Sequence, residues 1–96
     1  MKNLPSIDLL EQTRSFPSRY IFKAIGKSEN GFAARVVAAV REELAGVVDP
    51  PYFQREAAGG RHVAVTLEPT MYSAEQVLAV YRRILSVAGG YGKLRT

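Results

Sequence analysis

Residues between Arg19 and Lys27 alternate: Tyr20, Phe22 and Ala24 fall on one side, Arg19, Ile21 and Lys23 on the other. A side-chain period of two marks a strand, and Gly26 closes it. From about Gly31 to Ala45 the period lengthens. Phe32, Val36, Val40 and Leu44 recur every four residues, widened by Ala33 and Val37, with Glu42 and Glu43 opposite. That is one apolar stripe on a helix. Ser28 or Asn30 is expected to cap its start, and Gly46 to stop it in the left-handed geometry that glycine takes at little cost. Asp49-Pro50-Pro51 is a stiff connector. Strands are predicted over Tyr52 to Ala57 and Arg61 to Glu68, joined by Ala58-Gly59-Gly60. Ser73-Ala74-Glu75-Gln76 has capping-box spacing. The helix it opens runs to about Ala88, with Val77, Val80, Tyr81, Ile84, Leu85 and Ala88 as its buried stripe. Gly89-Gly90 ends it, and Tyr91 to Arg95 is a short last strand with Leu94 as its main apolar contribution.

The loop between the two middle strands decides which side chains face inward. A three-residue loop places Phe53 and Arg55 beside Val65 and Val63. A two-residue Gly59-Gly60 turn places Gln54 and Glu56 there instead. Burying a carboxylate and an amide without partners is costly. The three-residue loop is therefore expected, with Phe53, Val63, Val65 and Leu67 inward. The outer face then carries Ile21, Lys23, His62, Ala64, Thr66 and Glu68, with Tyr52 or Gln54.

Strand, helix, strand, strand, helix, strand is the order of a split βαβ unit. The predicted class is α+β: a ferredoxin-like βαββαβ sandwich, with two helices on one face of a four-stranded antiparallel sheet. Residues 1–18 read as an N-terminal arm, in which Ile7, Leu9 and Leu10 could form one apolar turn before Phe16-Pro17 interrupts it. Residues 19–96 read as one domain.

Composition adds limits. The chain has 96 residues, 47% of them apolar, and no cysteine. Disulfides, thiolate metal sites and thiol nucleophiles are thereby excluded. No run of about 20 apolar residues is present, so no spanning helix is expected. No export signal is read at the start, and the expected location is cytoplasmic. The net charge is +4. The basic residues are scattered in sequence, with Arg82-Arg83 the only adjacent pair, which reads as ordinary solvated surface.

The run Phe16-Pro17-Ser18-Arg19-Tyr20-Ile21-Phe22-Lys23-Ala24-Ile25-Gly26 resembles the opening of the YbeD-like proteins, a family of small bacterial proteins. Lys23-Ala24-Ile25-Gly26 matches the tetrad that follows the family's Phe-Pro. Leu9-Leu10-Glu11 is similar to its lead-in, His62 to Leu67 to its third strand, and Glu75-Gln76-Val77 with Tyr81 to its second helix. Two departures stand out. Glu56-Ala57-Ala58-Gly59-Gly60 replaces the family's polar Ser-x-Gly, and Pro69-Thr70-Met71-Tyr72 is longer than usual. The resemblance implies a ferredoxin-like domain similar to the amino-acid-sensing regulatory domains of metabolic enzymes. It implies no catalytic residue.

Candidate chemistry is sparse. His62 is the only histidine, with no second His or Cys to share a metal, so no metal or cofactor is expected. Glu68, on the same strand and face, lies roughly 20 Å away along an extended chain, too far to orient His62 as a base. The loop from Gly26 to Gly31 joins a strand to a helix start, where exposed N–H groups favour anions. Gly26, Lys27, Ser28 and Asn30 are its candidate ligand-binding residues. An acylphosphatase-like hydrolase around Lys27 and Arg35 is a third reading, weakened because Arg35 does not adjoin Phe32. Nucleic-acid binding is the second. It needs stacking aromatics on the open face, and with Phe22 and Phe53 inward only Tyr52 remains. The leading expectation is a non-enzymatic regulatory or interaction module that binds a small metabolite or a protein partner, as a homodimer.

Overall fold

The computed structural model describes residues 15–87 and 90–95. Its elements are β1 (Ser18–Arg19), β2 (Ile21–Lys27), α1 (Phe32–Glu43), β3 (Tyr52–Ala57), β4 (His62–Leu67), β5 (Thr70–Met71), α2 (Ala74–Ser86) and β6 (Gly90–Arg95). Four strands form an antiparallel sheet in the order β3-β4-β2-β6. With α1 packed on β4 and β2, and α2 on β6, this is the expected ferredoxin-like α+β sandwich. A two-stranded ribbon is added: β1 pairs with β5, Ser18 opposite Met71. The Tyr20 N–H donates to the Pro69 carbonyl at 3.1 Å and ties the ribbon to the sheet. The long Pro69–Tyr72 connection is the strand partner of the segment after Phe16-Pro17. Residues 1–14, with Ile7, Leu9 and Leu10, lie outside the described residues, as do Ala88 and the side chain of Leu94.

The core follows the two periods. Tyr20, Phe22, Ala24, Val63, Val65 and Leu67 meet Phe32, Val36, Val40, Val77, Val80, Tyr81 and Ile84, all buried. The Phe16 and Tyr20 rings stack with centroids 5.9 Å apart, and Tyr20 lies 6.4 Å from Phe22. Burial holds the Tyr81 hydroxyl above its ordinary ionisation range, because the phenolate would lose its water.

The helix ends differ in part from expectation. At α2, the Ser73 side chain accepts from the Gln76 N–H at 3.1 Å, as its capping-box spacing requires. At α1 neither Ser28 nor Asn30 caps. Gly31 is the N-cap residue, in the left-handed region, and no side chain bonds to the helix start. The stop is also displaced by one residue. Ala45, not Gly46, takes the left-handed position at φ 53°. The Gly46 N–H reaches back to the Arg41 carbonyl and the Ala45 N–H to that of Glu42, the paired bonds of a Schellman turn. An L-residue there costs about 1 kcal/mol or more. Ala45→Gly is therefore expected to stabilise the domain by about 1 kcal/mol, read as a higher urea midpoint at unchanged slope.

One expectation about the sheet is overturned. Ala57 pairs with His62, so residues 58–61 connect the strands and the loop has four residues rather than three. Gly59 and Gly60 within it take positive φ. Gln54 and Glu56 consequently sit beside Val65 and Val63 on the helix side, while Phe53 and Arg55 pair with Thr66 and Ala64 on the open side. Phe53 is 57% exposed instead of buried. The desolvation cost weighed against this register does not arise. Neither helix extends over β3, and all six of its residues are exposed.

Candidate functional site

The uncovered stretch of sheet beside α1 forms a shallow cavity of about 350 Å³. Its walls come from three places. Ser28, Glu29, Asn30 and Gly31 arrive from the β2–α1 loop, Phe32 and Ala33 from the first turn of α1, and Gln54, Glu56 and Val63 from β3 and β4. The loop is held by local bonds: the Ser28 N–H donates to the Arg61 carbonyl at 2.9 Å and the Glu29 N–H to that of Lys27 at 2.8 Å. Asn30 and Gly31 both take left-handed backbone, which turns the chain sharply into α1. The first N–H groups of α1 have no side-chain acceptor, so the cavity is bordered by donors and the positive end of the helix dipole. Glu29 and Glu56 bring carboxylates to the same space.

The four residues singled out in the sequence separate. Ser28 and Asn30 line this cavity; Gly26 and Lys27 do not. Gly26 is buried within β2, paired with Val63, and Lys27 stands opposite His62 on the other face of the sheet. Gln54 and Glu56 join the cavity and were missed, because the three-residue loop turned them away. A signal existed: two polar inward positions on one short strand mark an edge that no helix covers.

Arg35, the hydrolase candidate, is turned toward its own helix start. Its Nε donates to the Asn30 carbonyl at 2.8 Å, and its guanidinium lies 5.8 Å from the centre of the Phe32 ring. His62 is half-buried. Among the described residues no group of three His, Cys, Asp or Glu side chains could hold a metal ion. A second hollow of about 280 Å³ lies between the helices at Glu43, Ala79, Arg82, Arg83 and Ser86. There Arg83 bridges Glu42 at 2.6 Å and Glu43 at 3.6 Å, and such exposed pairs contribute little.

Residues 11–89 match the family described as "Protein of unknown function (DUF493)". The chain belongs to that family. The match takes in β1 through α2 and every wall of the cavity. Similar proteins include a "UPF0250 protein" of Shewanella amazonensis, 27% identical over 79 residues, which covers 82% of this chain and 88% of the relative. A "UPF0250 protein" of Shewanella loihica is 28% identical over 74 residues, 77% of this chain and 82% of its own length. The YbeD-like resemblance of the Phe16–Gly26 run is thus a family relationship across most of the chain. None of these descriptions names an activity. Among the described residues no helix is long and apolar enough to cross a membrane.

Proposed function

We propose that this DUF493 domain is a non-catalytic regulatory module that pairs with a second copy through β3 and holds a small polar metabolite in the cavity beside that edge. The observation that carries the reading is the exposed outer edge of β3 with the cavity adjoining it. The Glu68 N–H donates to the Pro51 carbonyl at 2.8 Å. In an antiparallel ladder the hydrogen-bonded pairs alternate. Phe53, Arg55 and Ala57 therefore bond inward to β4, and the backbone groups of Tyr52, Gln54 and Glu56 point off the sheet. A second strand can pair with that row. Gln54 and Glu56 belong both to this row and to the cavity wall, so pairing would convert an open hollow into an enclosed one.

The cavity chemistry favours a ligand that carries both charges. Helix-start donors suit a carboxylate, and Glu29 or Glu56 suits an ammonium group. A free amino acid has both. That agrees with the resemblance to amino-acid-sensing domains. No reactive cluster of side chains among the described residues competes with this reading.

Gln54→Pro tests the edge. It removes one outward N–H and leaves the β3–β4 ladder intact, a position where an edge strand tolerates proline. The native chain is expected to show a concentration-dependent dimer by sedimentation equilibrium, and Gln54→Pro a folded monomer. A native chain that remains monomeric at millimolar concentration refutes the pairing. A thermal-shift screen of free amino acids tests the cavity, and Glu56→Gln is expected to abolish any shift it finds, since a ligand that binds only the folded state raises its melting temperature.

A further inference from the structure

The open face of the sheet, opposite the helices and apart from the cavity, is the basic side of the molecule. Register places Lys23, Lys27 and Arg55 on it, and the backbone positions of Lys93 and Arg95 fall on the same side. Glu68, beside the same face, is engaged by Arg19 at 3.9 Å. The helix layer differs: there Arg83 meets Glu42 and Glu43, and Arg41 meets Asp49. Charges scattered along the sequence thus gather in space: Lys23, Lys27 and Arg55 share the open face, where Glu68 already faces Arg19. Lys23 and Lys27 stand two residues either side of Ile25 on one strand face, so like charges lie close together there, and a bound polyanion would relieve their repulsion. The same charge opposes face-to-face pairing of two copies.

Aromatic positions accompany the charge. One row across the sheet reads Phe53, Thr66, Lys23, Lys93; the next reads Arg55, Ala64, Ile25, Tyr91. Phe53 and Arg55 lie on the edge strand β3, and Lys23 lies on the central strand β2. The backbone positions of Phe53 and Tyr91 are about 16 Å apart, from ~4.8 Å between strands and ~3.4 Å per residue. Ala64 and Thr66 keep the surface beside Phe53 low. An exposed ring with Arg55 two residues along on the same face can stack a base and neutralise its phosphate. An acidic peptide gains less here. The ladder uses up the backbone donors of the face, and nothing on it grips an extended chain.

We propose that this face binds single-stranded nucleic acid, with Phe53 as a stacking platform and Lys23, Lys27 and Arg55 as phosphate contacts. The test is fluorescence anisotropy of the full chain with labelled single-stranded RNA, single-stranded DNA and a duplex of the same length, between 50 and 200 mM salt. Single strands are expected to bind, with a log–log salt slope of about −2 or steeper. Phe53→Ala should weaken binding about 5- to 150-fold, and Lys23→Glu by at least about tenfold. Arg82→Glu makes the same charge change on the helix layer and should leave affinity within about twofold. Circular dichroism melts establish that each variant is folded, and the RNA and DNA arms show which strand is preferred. The proposal is overturned by no single-strand binding at 50 mM salt, or by a duplex that binds as tightly. It is equally overturned by unchanged affinity in Phe53→Ala, by equal losses in Lys23→Glu and Arg82→Glu, or by a polyglutamate peptide or anionic vesicles binding in preference. The monomeric Gln54→Pro variant serves in the same assay, so failure of the edge pairing is read separately.

Discussion

Phe22→Ala is expected to lower the stability of the domain by about 3–5 kcal/mol. Phe22 is fully buried in the centre of β2. Its register neighbours are Leu67 on β4 and Leu94 on β6, and its ring lies 6.4 Å from that of Tyr20. Central strands fixed on both sides cannot collapse into the space that the ring vacates, so the loss includes a cavity cost as well as lost burial. A domain of this size has roughly 5–15 kcal/mol in total. The variant should therefore stand close to its unfolding midpoint at room temperature. The measurement is the urea midpoint at unchanged slope. Phe53→Ala is the comparison. The two residues have the same side chain and both lie on strands of one sheet, but Phe53 is exposed, and its removal should change stability by no more than about 0.5 kcal/mol. Similar losses in both variants would contradict the register of β3.

Most of the fold was legible because it rests on local periods. Tyr20, Phe22 and Ala24 share one face of β2, and the four-residue recurrence from Phe32 to Val40 lies buried along α1. The stripe of α2, from Val77 to Ile84, was equally plain. What was not legible depends on partners distant in sequence. Nothing local in Thr70-Met71 shows that it pairs with Ser18-Arg19, yet Met71 is fully buried by that ribbon. The facing of β3 depended on one residue of loop length. Desolvation fixes that facing only where a helix lies overhead. Helix coverage is a tertiary fact, and without it Glu56 and Gln54 meet no penalty.

The candidate site divides along the same line. Ser28 and Asn30 lie where a strand-to-helix loop should place them, and the loop does border a cavity. Lys27 belongs to the last turn of the β2 alternation, and a period of two sends it to the open face. Its partner in register is His62. The basic face was invisible in sequence because its charges come from strands far apart in the chain, Lys23 and Lys27 on β2 and Arg55 on β3. Only the register brings Lys23 and Arg55 into adjacent rows.

Val65→Asp is expected to abolish cooperative folding, whereas Ala64→Asp, one residue away, should cost no more than about 1 kcal/mol. Val65 is fully buried beneath the helices, opposite Ala24 on β2. A carboxylate there would have no cation within the apolar core around Val36, Val40 and Val77. It would either stay ionised at a cost of several kcal/mol or take up a proton and remain poorly bonded. Either cost is comparable to the whole stability of the domain. Ala64 points to the other side of the same strand, half-buried, with Arg55 its partner on β3. An aspartate there faces an opposite charge across the pair, which offsets its poor strand propensity. The two variants have the same net charge and similar composition, so the contrast isolates the face. Far-ultraviolet circular dichroism with thermal melts reads it directly: a cooperative transition for Ala64→Asp and none for Val65→Asp. Ala64→Asp should also weaken any polyanion binding by the open sheet, since it sets a negative charge opposite Arg55 and one row from Lys23. A folded Val65→Asp and an unfolded Ala64→Asp would reverse the assignment of the two faces, and with it both the cavity and the basic surface.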